Sequence, residues 1–519
     1  MAPGTGLRIN PPAAGLDISE SLRRHPADDT HVREPVIATA QSLRPAPTAI
    51  ARLPGAVTGR PGPLLMLLPV LLTLALGLWG VRRGGSLWRD EAVTYDMAHR
   101  SLPDLWATLG NADAVHGTYY LLMHALYAVF GGADPLLVMR LPSVLATAAA
   151  TAGVIRLGHG LAGPRAGLLA GFVFALLPPV QEYAQEGRSY AVVCALVVWA
   201  TYALVRAVAT RNAMVWVGYG TLMLAACLLH EFAVLALAAH VCAVPSADRR
   251  GWAVTAASVV LGLAPVAILS TGQSQQVGWI GFDTVSYVTF AAVAALGLAC
   301  ARVLPRGTGR TVDLRTLALA LLVAPAALLM LVSVFQPLYV DRYVLYGNAG
   351  LALLVGAALH RFGRLGRVRV AAAATVLALI PGTLHLRDTA SRVDDVTAIA
   401  RTVQEMGEPG DGILYMPLRR RVWSLPYPQS VAGLRDLALA RGPHASHTLY
   451  GTEVPPSDIR ARMLATPRIV TVRDPAGQPL DAFAGEAIKR NVLKAHFEEC
   501  ATRKAHGARV TVYARPGEC

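Results

Sequence analysis

Charged residues are scarce in this chain. They make up only 15% of its 519 residues, while 54% are hydrophobic; an ordinary soluble protein has about a quarter charged. The mean hydropathy is +0.44. A water-soluble globule cannot bury that much apolar surface, so the composition argues against a disordered chain, a nucleic-acid-binding module and a cytosolic enzyme. We therefore expect a protein whose main solvent is lipid.

Lysine is rarer still, with three positions (Lys489, Lys494 and Lys504) among 47 basic residues. The arginines mostly lie between apolar runs, where basic residues set membrane orientation. The net charge of +14 is therefore no sign of a nucleic-acid partner.

Cysteine is also sparse, and no pair has CxxC or zinc-ligand spacing. Four of the six lie in apolar runs and are predicted to be packing residues: Cys194, Cys227, Cys242 and Cys300. The other two, Cys500 and Cys519, could form a disulfide in an oxidising compartment. No Walker, HExxH or GxSxG motif is present, which argues against nucleotide-driven transport and common hydrolase chemistry.

Long apolar runs dominate the rest of the chain. The first, Leu64–Val81, is long enough to cross the hydrocarbon core. Ten more follow at 135–155, 166–181, 190–205, 213–230, 231–245, 252–269, 285–304, 316–335, 343–359 and 368–384. Residues 1–62 are rich in Pro, Ala and Arg, and we predict a disordered cytoplasmic tail there.

Segment 117–131 is only about 15 residues long and contains Tyr and His, so we predict a helix at the membrane surface. With that assignment the arginine-rich loops face the cytoplasm and the acidic loops the exterior, as the positive-inside rule requires. Eleven spans then separate the tail from an exterior C-terminus. We expect a transmembrane domain at 63–387, with an external loop at 84–134, and an extracytoplasmic α/β domain at 388–519. Helices are predicted at Asp394–Met406 and Asp481–Phe497, and strands at Gly412–Met416, Arg468–Arg473 and Ala508–Arg515.

This topology brings three polar clusters to one membrane face. The first contains Asp90 and Glu91 after the first span, and the second contains His116, Tyr119 and Tyr120. Solvated turns and an aromatic belt remain the structural alternatives for these two. Arg140 lies about one turn inside an apolar span and needs a carboxylate, a phosphate or a water-filled cavity.

The third cluster, residues 178–190, is denser. Glu182, Glu186 and Tyr190 recur at intervals of four, which would place them on one helical face, and Arg188 lies between them. A charged turn is the alternative. Weaker signals are His230-Glu231, the loop 273–279 with three glutamines, and Arg342, which could clamp a phosphate.

Together these motifs resemble a known family. Asp90-Glu91, HGTYYLLMHALYAVFG (116–131), RLPS (140–143), QEYAQEGRSYA (181–191) and PLYVDRY (337–343) are similar to the polyprenyl-phosphate-sugar-dependent glycosyltransferases of the GT-C superfamily. The protein O-mannosyltransferases and aminoarabinose transferases of glycosyltransferase family 39 are the group most resembled. The similarity covers about residues 84 to 360 and is strongest over 88–190.

The resemblance implies a polytopic α-helical enzyme that inverts the anomeric centre and acts on the outer face of the plasma membrane. Its donor would be a polyprenyl-phosphate-linked sugar, with mannose as a candidate, and its acceptor a glycan, lipid or protein of the cell envelope. Asp90 would deprotonate the acceptor hydroxyl, and Glu91 would orient the acceptor or Asp90. Some relatives carry Lys at the position of His116.

The remaining motif residues would bind substrate and the donor phosphate: His116, Tyr119, Arg140, Glu182, Glu186, Arg188, Tyr190 and Arg342. A base on one side of the anomeric carbon and positive charge around the leaving phosphate are what the displacement needs. Asp90, Glu91 and Glu186 could also hold a divalent cation, although no spacing requires one. The alternatives are a polytopic transporter or lipid flippase, which would show internal repeats that this sequence lacks, and a non-catalytic assembly factor.

Overall fold

A computed structural model describes residues 62–273, 280–281 and 283–519. The predicted fold class is confirmed: a helical membrane protein carries a small C-terminal domain built on a sheet. The predicted tail at 1–62 lies almost wholly outside the described residues, as do the last six residues of loop 273–279.

The membrane part contains fifteen α-helices within the described residues. They are α1 (Leu68–Leu78), α2 (Arg89–His99), α3 (Leu102–Asn111), α4 (Gly117–Phe130), α5 (Pro135–Ala162), α6 (Pro164–Leu176), α7 (Pro178–Ala184), α8 (Tyr190–Thr210), α9 (Ala213–Leu229), α10 (Leu235–Ala243), α11 (Arg249–Thr271), α12 (Thr284–Arg302), α13 (Leu314–Val332), α14 (Gly347–Phe362) and α15 (Gly366–His385).

All eleven predicted apolar runs are helical. Seven helical segments of the described chain are long and apolar enough to cross a membrane, or eight if the bent pair α6 and α7 counts as one. The seven are Leu64–Gly85, Pro135–Ala162, Tyr190–Thr210, Ser246–Thr271, Thr284–Arg302, Leu314–Val332 and Gly366–His385. Helices α9, α10 and α14 are shorter, so the total of eleven crossings stays a prediction.

The sequence predicted a single span at 166–181, but this run is not one straight helix. Helices α6 and α7 meet at a bend of 65°, directly before Pro178 and Pro179. A proline lacks the backbone N–H of a continuing helix, and its ring disfavours helical geometry in the residue before it. The bend therefore redirects α7 and the turn that follows it.

Small residues bring the membrane helices close together. A Cβ on Gly158 of α5 would lie 2.7 Å from the Cα of Gly167 on α6, and one on Gly356 of α14 would lie 2.6 Å from the Cα of Ala170. Small residues allow such close packing between helices in lipid, where burial of apolar surface drives little association.

The segment between α1 and α5 carries three helices. The predicted helix at 117–131 is confirmed as α4, whereas the sequence did not predict α2 or α3. Helix α3 begins at a Ser101 cap, whose Oγ accepts a hydrogen bond from the N–H of Asp104. Helix α2 begins at Arg89, so both adjacent carboxylates, Asp90 and Glu91, lie in its first turn.

The C-terminal domain is a five-stranded mixed sheet with helices. Strand order is β2-β1-β5-β7-β6, with β1 parallel to β2 and β5 and the remaining pairs antiparallel. Its helices are α16 (Val396–Met406), α17 (Pro443–Ser446), α18 (Pro456–Leu464) and α19 (Ala484–His496). Its strands are β1 (Gly412–Met416), β2 (Arg435–Asp436), β5 (Arg468–Arg473), β6 (Glu498–Ala505) and β7 (Ala508–Ala514), and β3 (Leu439–Arg441) pairs with β4 (Thr452–Glu453).

The three predicted strands and two predicted helices of this domain are present with near-identical bounds. Strand β6 was missed because it lies at the sheet edge and its charged sequence, EECATRKA, is mostly exposed. Cys500 and Cys519 are joined by a disulfide, which realises the pairing that the sequence permitted.

The domain packs directly on the start of α2. The Asp394 carboxylate accepts a hydrogen bond from the backbone N–H of Arg89 at 2.9 Å, and the N–H of Val396 donates to the carbonyl of Leu87 at 2.7 Å. The hydroxyl of Thr397 donates to the carbonyl of Gly85 at 3.0 Å. Asp394 and the first turn of α16 thus fix the backbone next to Asp90.

Candidate active site

Glu91 lies at the centre of a buried ionic cluster. Its Oε1 accepts from Nε of Arg140 at 2.8 Å and its Oε2 from the terminal nitrogen of the same guanidinium at 2.6 Å. Arg83 donates to the carboxylate at 3.2 Å, and the backbone N–H of Gly187 donates at 3.0 Å. Burial alone would raise the pKa of Glu91, but the two guanidiniums lower it to about 2. Glu91 is therefore ionised and fully paired.

A turn in the left-handed region of backbone conformation places the Arg83 side chain in this cluster. Arg83, Gly84 and Gly85 all have positive φ (42°, 63° and 89°), a conformation that costs a non-glycine residue free energy. The buried Arg83 side chain offsets this cost by donating hydrogen bonds to the Glu91 carboxylate and to the carbonyl of Gln185.

The turn at 185–189 is held from three sides. Ser143 Oγ donates to the carbonyl of Glu186 at 2.6 Å, and Thr94 Oγ1 to that of Gly187 at 3.1 Å. The Gln185 amide donates to carbonyls at the end of α1. A Cβ at Gly187 would lie 2.2 Å from Met139, so only glycine fits. The Arg140–Glu91 pair and this turn form one rigid unit.

The prediction that Glu182, Glu186 and Tyr190 share one helical face is wrong. Helix α7 ends at Ala184 and α8 begins at Tyr190, because the chain turns at Gly187. The Glu186 carboxylate instead contacts Nε of Arg392 at 3.0 Å, and that of Glu182 contacts the same guanidinium at 3.8 Å. Burial raises the pKa of Glu186 to about 7, although Arg392 opposes this.

Asp90 lies in a different environment from its neighbour. Its carboxylate is 22% exposed and lies 3.8 Å from a guanidinium nitrogen of Arg342 and 3.9 Å from Nε of Arg89. Both distances are too long for a hydrogen bond. The Asp90 carboxylate is therefore accessible and close to cations that do not saturate it.

Two arginines, Arg188 and Arg342, lie near Asp90. Arg188 donates to the hydroxyl of Tyr120 at 3.1 Å, and that hydroxyl donates to Asp113. Arg342 Nε donates to the Tyr190 hydroxyl at 3.2 Å, and its guanidinium lies 5.5 Å from the centre of that ring. These contacts orient both guanidiniums.

Two histidines, His116 and His230, lie near Arg188 and Arg342. The rings of His116 and His230 lie 5.5 Å apart and both are buried. Within the part of the chain that the structure describes, neither Nδ1 has a hydrogen-bond partner. Burial lowers the pKa of His116 well below its usual value, and the nearby Arg188 and Arg342 lower it further. His116 is therefore neutral at physiological pH.

The structure thus separates the predicted residues. Asp90, His116, Arg188, Tyr190 and Arg342 lie near one another. Glu91 and Arg140 lie in the buried cluster, Glu182 and Glu186 contact Arg392, and Tyr119 is fully buried between these parts.

Sequence reasoning missed some contributors to these contacts. The sequence analysis did not single out Arg83 or Arg392, yet each pairs with a buried carboxylate. His230 was noted as a weak signal, and Tyr343, whose ring lies 4.6 Å from that of His230, follows directly after Arg342. A polar residue that interrupts an apolar run was the available signal for His230.

The predicted cation ligands do not suit a metal. Glu91 is saturated by two arginines and Glu186 is paired with a third. Among the described residues, no group of three or more His, Cys, Asp or Glu side chains is arranged to hold a metal ion.

Comparison with solved structures shows the fold. Neither a protein-family model nor a curated protein matches the chain. The apo structure of ArnT from Cupriavidus metallidurans is similar, with a TM-score of 0.50 at 11% identity over 86% of this chain and 97% of that one. The chain has a GT-C fold. Weaker likenesses are ArnT bound to undecaprenyl phosphate (0.45, 12% identity, 86% and 98% covered) and the Archaeoglobus fulgidus oligosaccharyltransferase with zinc and sulfate (0.46, 13% identity, 78% and 67% covered).

On this GT-C fold, Asp90 occupies the first turn of the first loop helix, and the paired arginines approach it from the turn after α7 and from the segment before α14. Side chains distant in sequence by up to 252 positions therefore meet at one site.

Proposed function

We propose that the protein is a membrane glycosyltransferase that moves a sugar from a polyprenyl-phosphate donor to an acceptor hydroxyl. One observation carries the proposal. An accessible carboxylate, Asp90, lies beside two oriented guanidiniums, Arg188 and Arg342, in a GT-C fold. A base and a set of cations are the two requirements of displacement at a sugar phosphate.

Asp90 acts as the general base in this proposal. Its oxygens are accessible, and guanidinium nitrogens of Arg342 and Arg89 lie 3.8 and 3.9 Å from them. Glu91 cannot share that role in this geometry because its oxygens are occupied by Arg140, Arg83 and Gly187. We therefore assign Glu91 and Arg140 as positioning residues that fix the first turn of α2 against the turn at 185–189.

Arg188, Arg342 and His116 bind the donor phosphate. The guanidiniums supply charge and paired N–H donors, and Tyr190 holds Arg342 in place. The motif resemblance, together with the apolar helices around the site, supports a polyprenyl chain as the lipid part of the donor. We assign a supporting role behind these phosphate-binding residues to the remaining site residues, Tyr119, Glu182 and Glu186.

We place the reaction on the outer face of the plasma membrane, with the C-terminal domain on the same side. The arginine distribution supports this orientation, and a disulfide between Cys500 and Cys519 is typical of an oxidising compartment. The acceptor is then a glycan, lipid or protein of the cell envelope, and mannose is the first sugar to test.

The proposal is tested by sugar transfer in proteoliposomes. The wild type, Asp90→Asn and the control Asp458→Asn, an exposed carboxylate of α18, are given polyprenyl-phosphate-linked sugars, starting with mannose, and envelope extracts as acceptors. We expect the wild type and the control to release polyprenyl phosphate, and Asp90→Asn to be slower by about 10²- to 10⁴-fold.

Full activity in Asp90→Asn would refute the assignment of the base. Failure of the wild type with every donor, combined with movement of labelled lipid between leaflets, would favour a flippase instead.

A further inference from the structure

His116 and His230 form a pair that the proposed chemistry does not yet explain. They come from different parts of the chain, one before α4 and one at the end of α9, and their ring centres lie 5.5 Å apart. Each is at least 95% buried, and each has an Nδ1 without a partner among the described residues. A buried polar atom without a hydrogen bond is costly, so the arrangement suggests a ligand.

The groups facing the pair are mostly cationic or aromatic. Arg188 and Arg342 act electrostatically on both rings. Their ring neighbours are Tyr120 and Tyr190 for His116, and Tyr190, Phe232 and Tyr343 for His230. The carboxylates of Asp90 and Asp113 act on Arg188, and Glu231, the next residue after His230, accepts a hydrogen bond from Ser270. An anion is the ligand that such surroundings favour.

We propose that His116 and His230 are a proton-accepting pair, neutral in the free protein, that takes up one proton when a phosphate with two negative charges binds. This inference rests on the proposed function, because the reaction supplies such a phosphate. It goes further in assigning a charge change to two histidines and in adding His230 to the site.

The reaction explains why a switchable charge is useful. The acceptor oxygen bonds to the anomeric carbon, the bond from that carbon to the phosphate oxygen breaks, and its electron pair stays on the phosphate. The acceptor proton passes to Asp90 and then to water. The donor is a diester with one negative charge, whereas the product is a monoester whose second pKa is about 6. The pair takes up a proton from water as that second charge appears and releases it when the product leaves.

Fixed positive charge alone would act differently. Arg188 and Arg342 are charged in every state and therefore attract donor and product alike. A pair that becomes positive only with the dianion stabilises the charge that develops on the leaving group, which is the condition for accelerating the chemical step.

The test measures proton uptake on binding. Farnesyl phosphate is titrated into the detergent-solubilised full-length protein at pH 7.5, where about nine tenths or more of its phosphate is dianionic. Calorimetry in buffers of different ionisation enthalpy gives the number of protons bound. We expect about one proton per phosphate, and a Kd that rises about tenfold per pH unit above pH 7. The methyl diester of farnesyl phosphate, with one charge, should take up clearly less.

Variants assign the proton to the pair. His116→Gln and His230→Gln, singly and together, should bind farnesyl phosphate without uptake and with a Kd independent of pH. His240→Gln is the matched control, because His240 is also fully buried but both its ring nitrogens are hydrogen-bonded, to Thr201 and Tyr219. It should behave as the wild type.

The outcomes are distinct. Binding without proton uptake in the wild type, or uptake that survives in the double variant, would overturn the inference while leaving the proposed function standing. If the double variant does not fold, the single variants decide in the same way. No binding of farnesyl phosphate by the wild type would overturn both.

Discussion

Asp90 and Glu91 are neighbours in sequence and in the first turn of the same helix, yet they lie in opposite environments. Successive residues of an α-helix point about 100° apart. Glu91 therefore faces the bundle, where Arg83 and Arg140 meet it, and Asp90 faces the space beside Arg342. The same chemical group has a structural role at one position and is available for chemistry at the next.

The two sides also differ in charge balance. On the Glu91 side, carboxylate oxygens and N–H donors satisfy each other within the fold. On the Asp90 side, the guanidiniums of Arg188 and Arg342 lie near one partly exposed carboxylate, and two imidazoles lie near those guanidiniums. A balanced cluster stabilises a fold, whereas an excess of donors identifies where an anionic ligand belongs.

The strongest test of this contrast compares Glu91→Gln with Asp90→Asn by thermal unfolding in detergent. Removing the buried carboxylate charge leaves Arg83 and Arg140 uncompensated, which should destabilise the protein by about 3–5 kcal/mol. Asp90→Asn should change stability by less than about 1 kcal/mol, since its carboxylate forms no close ion pair. Similar unfolding temperatures for the two variants would show that the environments do not differ as described.

A second test concerns the cations beside Asp90. Arg342→Ala should weaken binding of a polyprenyl monophosphate by about 10- to 100-fold, because a charged hydrogen-bond donor is lost at a buried site. The control Arg82→Ala removes an exposed arginine that pairs with Asp134 near the same face. Equal affinities of both variants, measured by calorimetry, would remove Arg342 from the phosphate site.

The smallest expected effect is a pH dependence of stability from Glu186. Its pKa is about 7 in the folded protein against 4.5 for the free group, so the folded state binds more protons between these values. Stability should be highest below pH 4.5 and should fall by about 1 kcal/mol as pH rises from 6 to 7. Glu186→Gln should remove this slope. If the unfolding temperatures of the wild type and of Glu186→Gln changed in parallel with pH, the assignment of this slope to Glu186 would be wrong.

The sequence predicted the parts of the fold that depend on local pattern. Apolar runs predicted the helices of the membrane part other than α2 and α3, and short segments of the C-terminal domain predicted β1, β5 and β7. It also identified Arg140 as a residue in need of a partner and named a carboxylate among the candidates. These features follow from side-chain polarity along a short stretch of chain.

What the sequence did not reveal depends on contacts between distant segments. The spacing of Glu182, Glu186 and Tyr190 matched a helix, but the turn at Gly187 is imposed by Met139 and Glu91 from other helices. Likewise, the partners of Arg392 and His230 lie 206 and 114 positions earlier in the chain. No local periodicity encodes such pairs.

The link between Asp394 and the backbone of Arg89 has a consequence for the order of biosynthesis. The C-terminal segment supplies Asp394, Val396 and Thr397 to the start of the helix that carries Asp90. During synthesis the first turn of α2 therefore lacks these contacts until some 300 further residues have been made. An incomplete chain would hold its membrane helices without these contacts, so the candidate site is complete only once the C-terminal domain has folded against it.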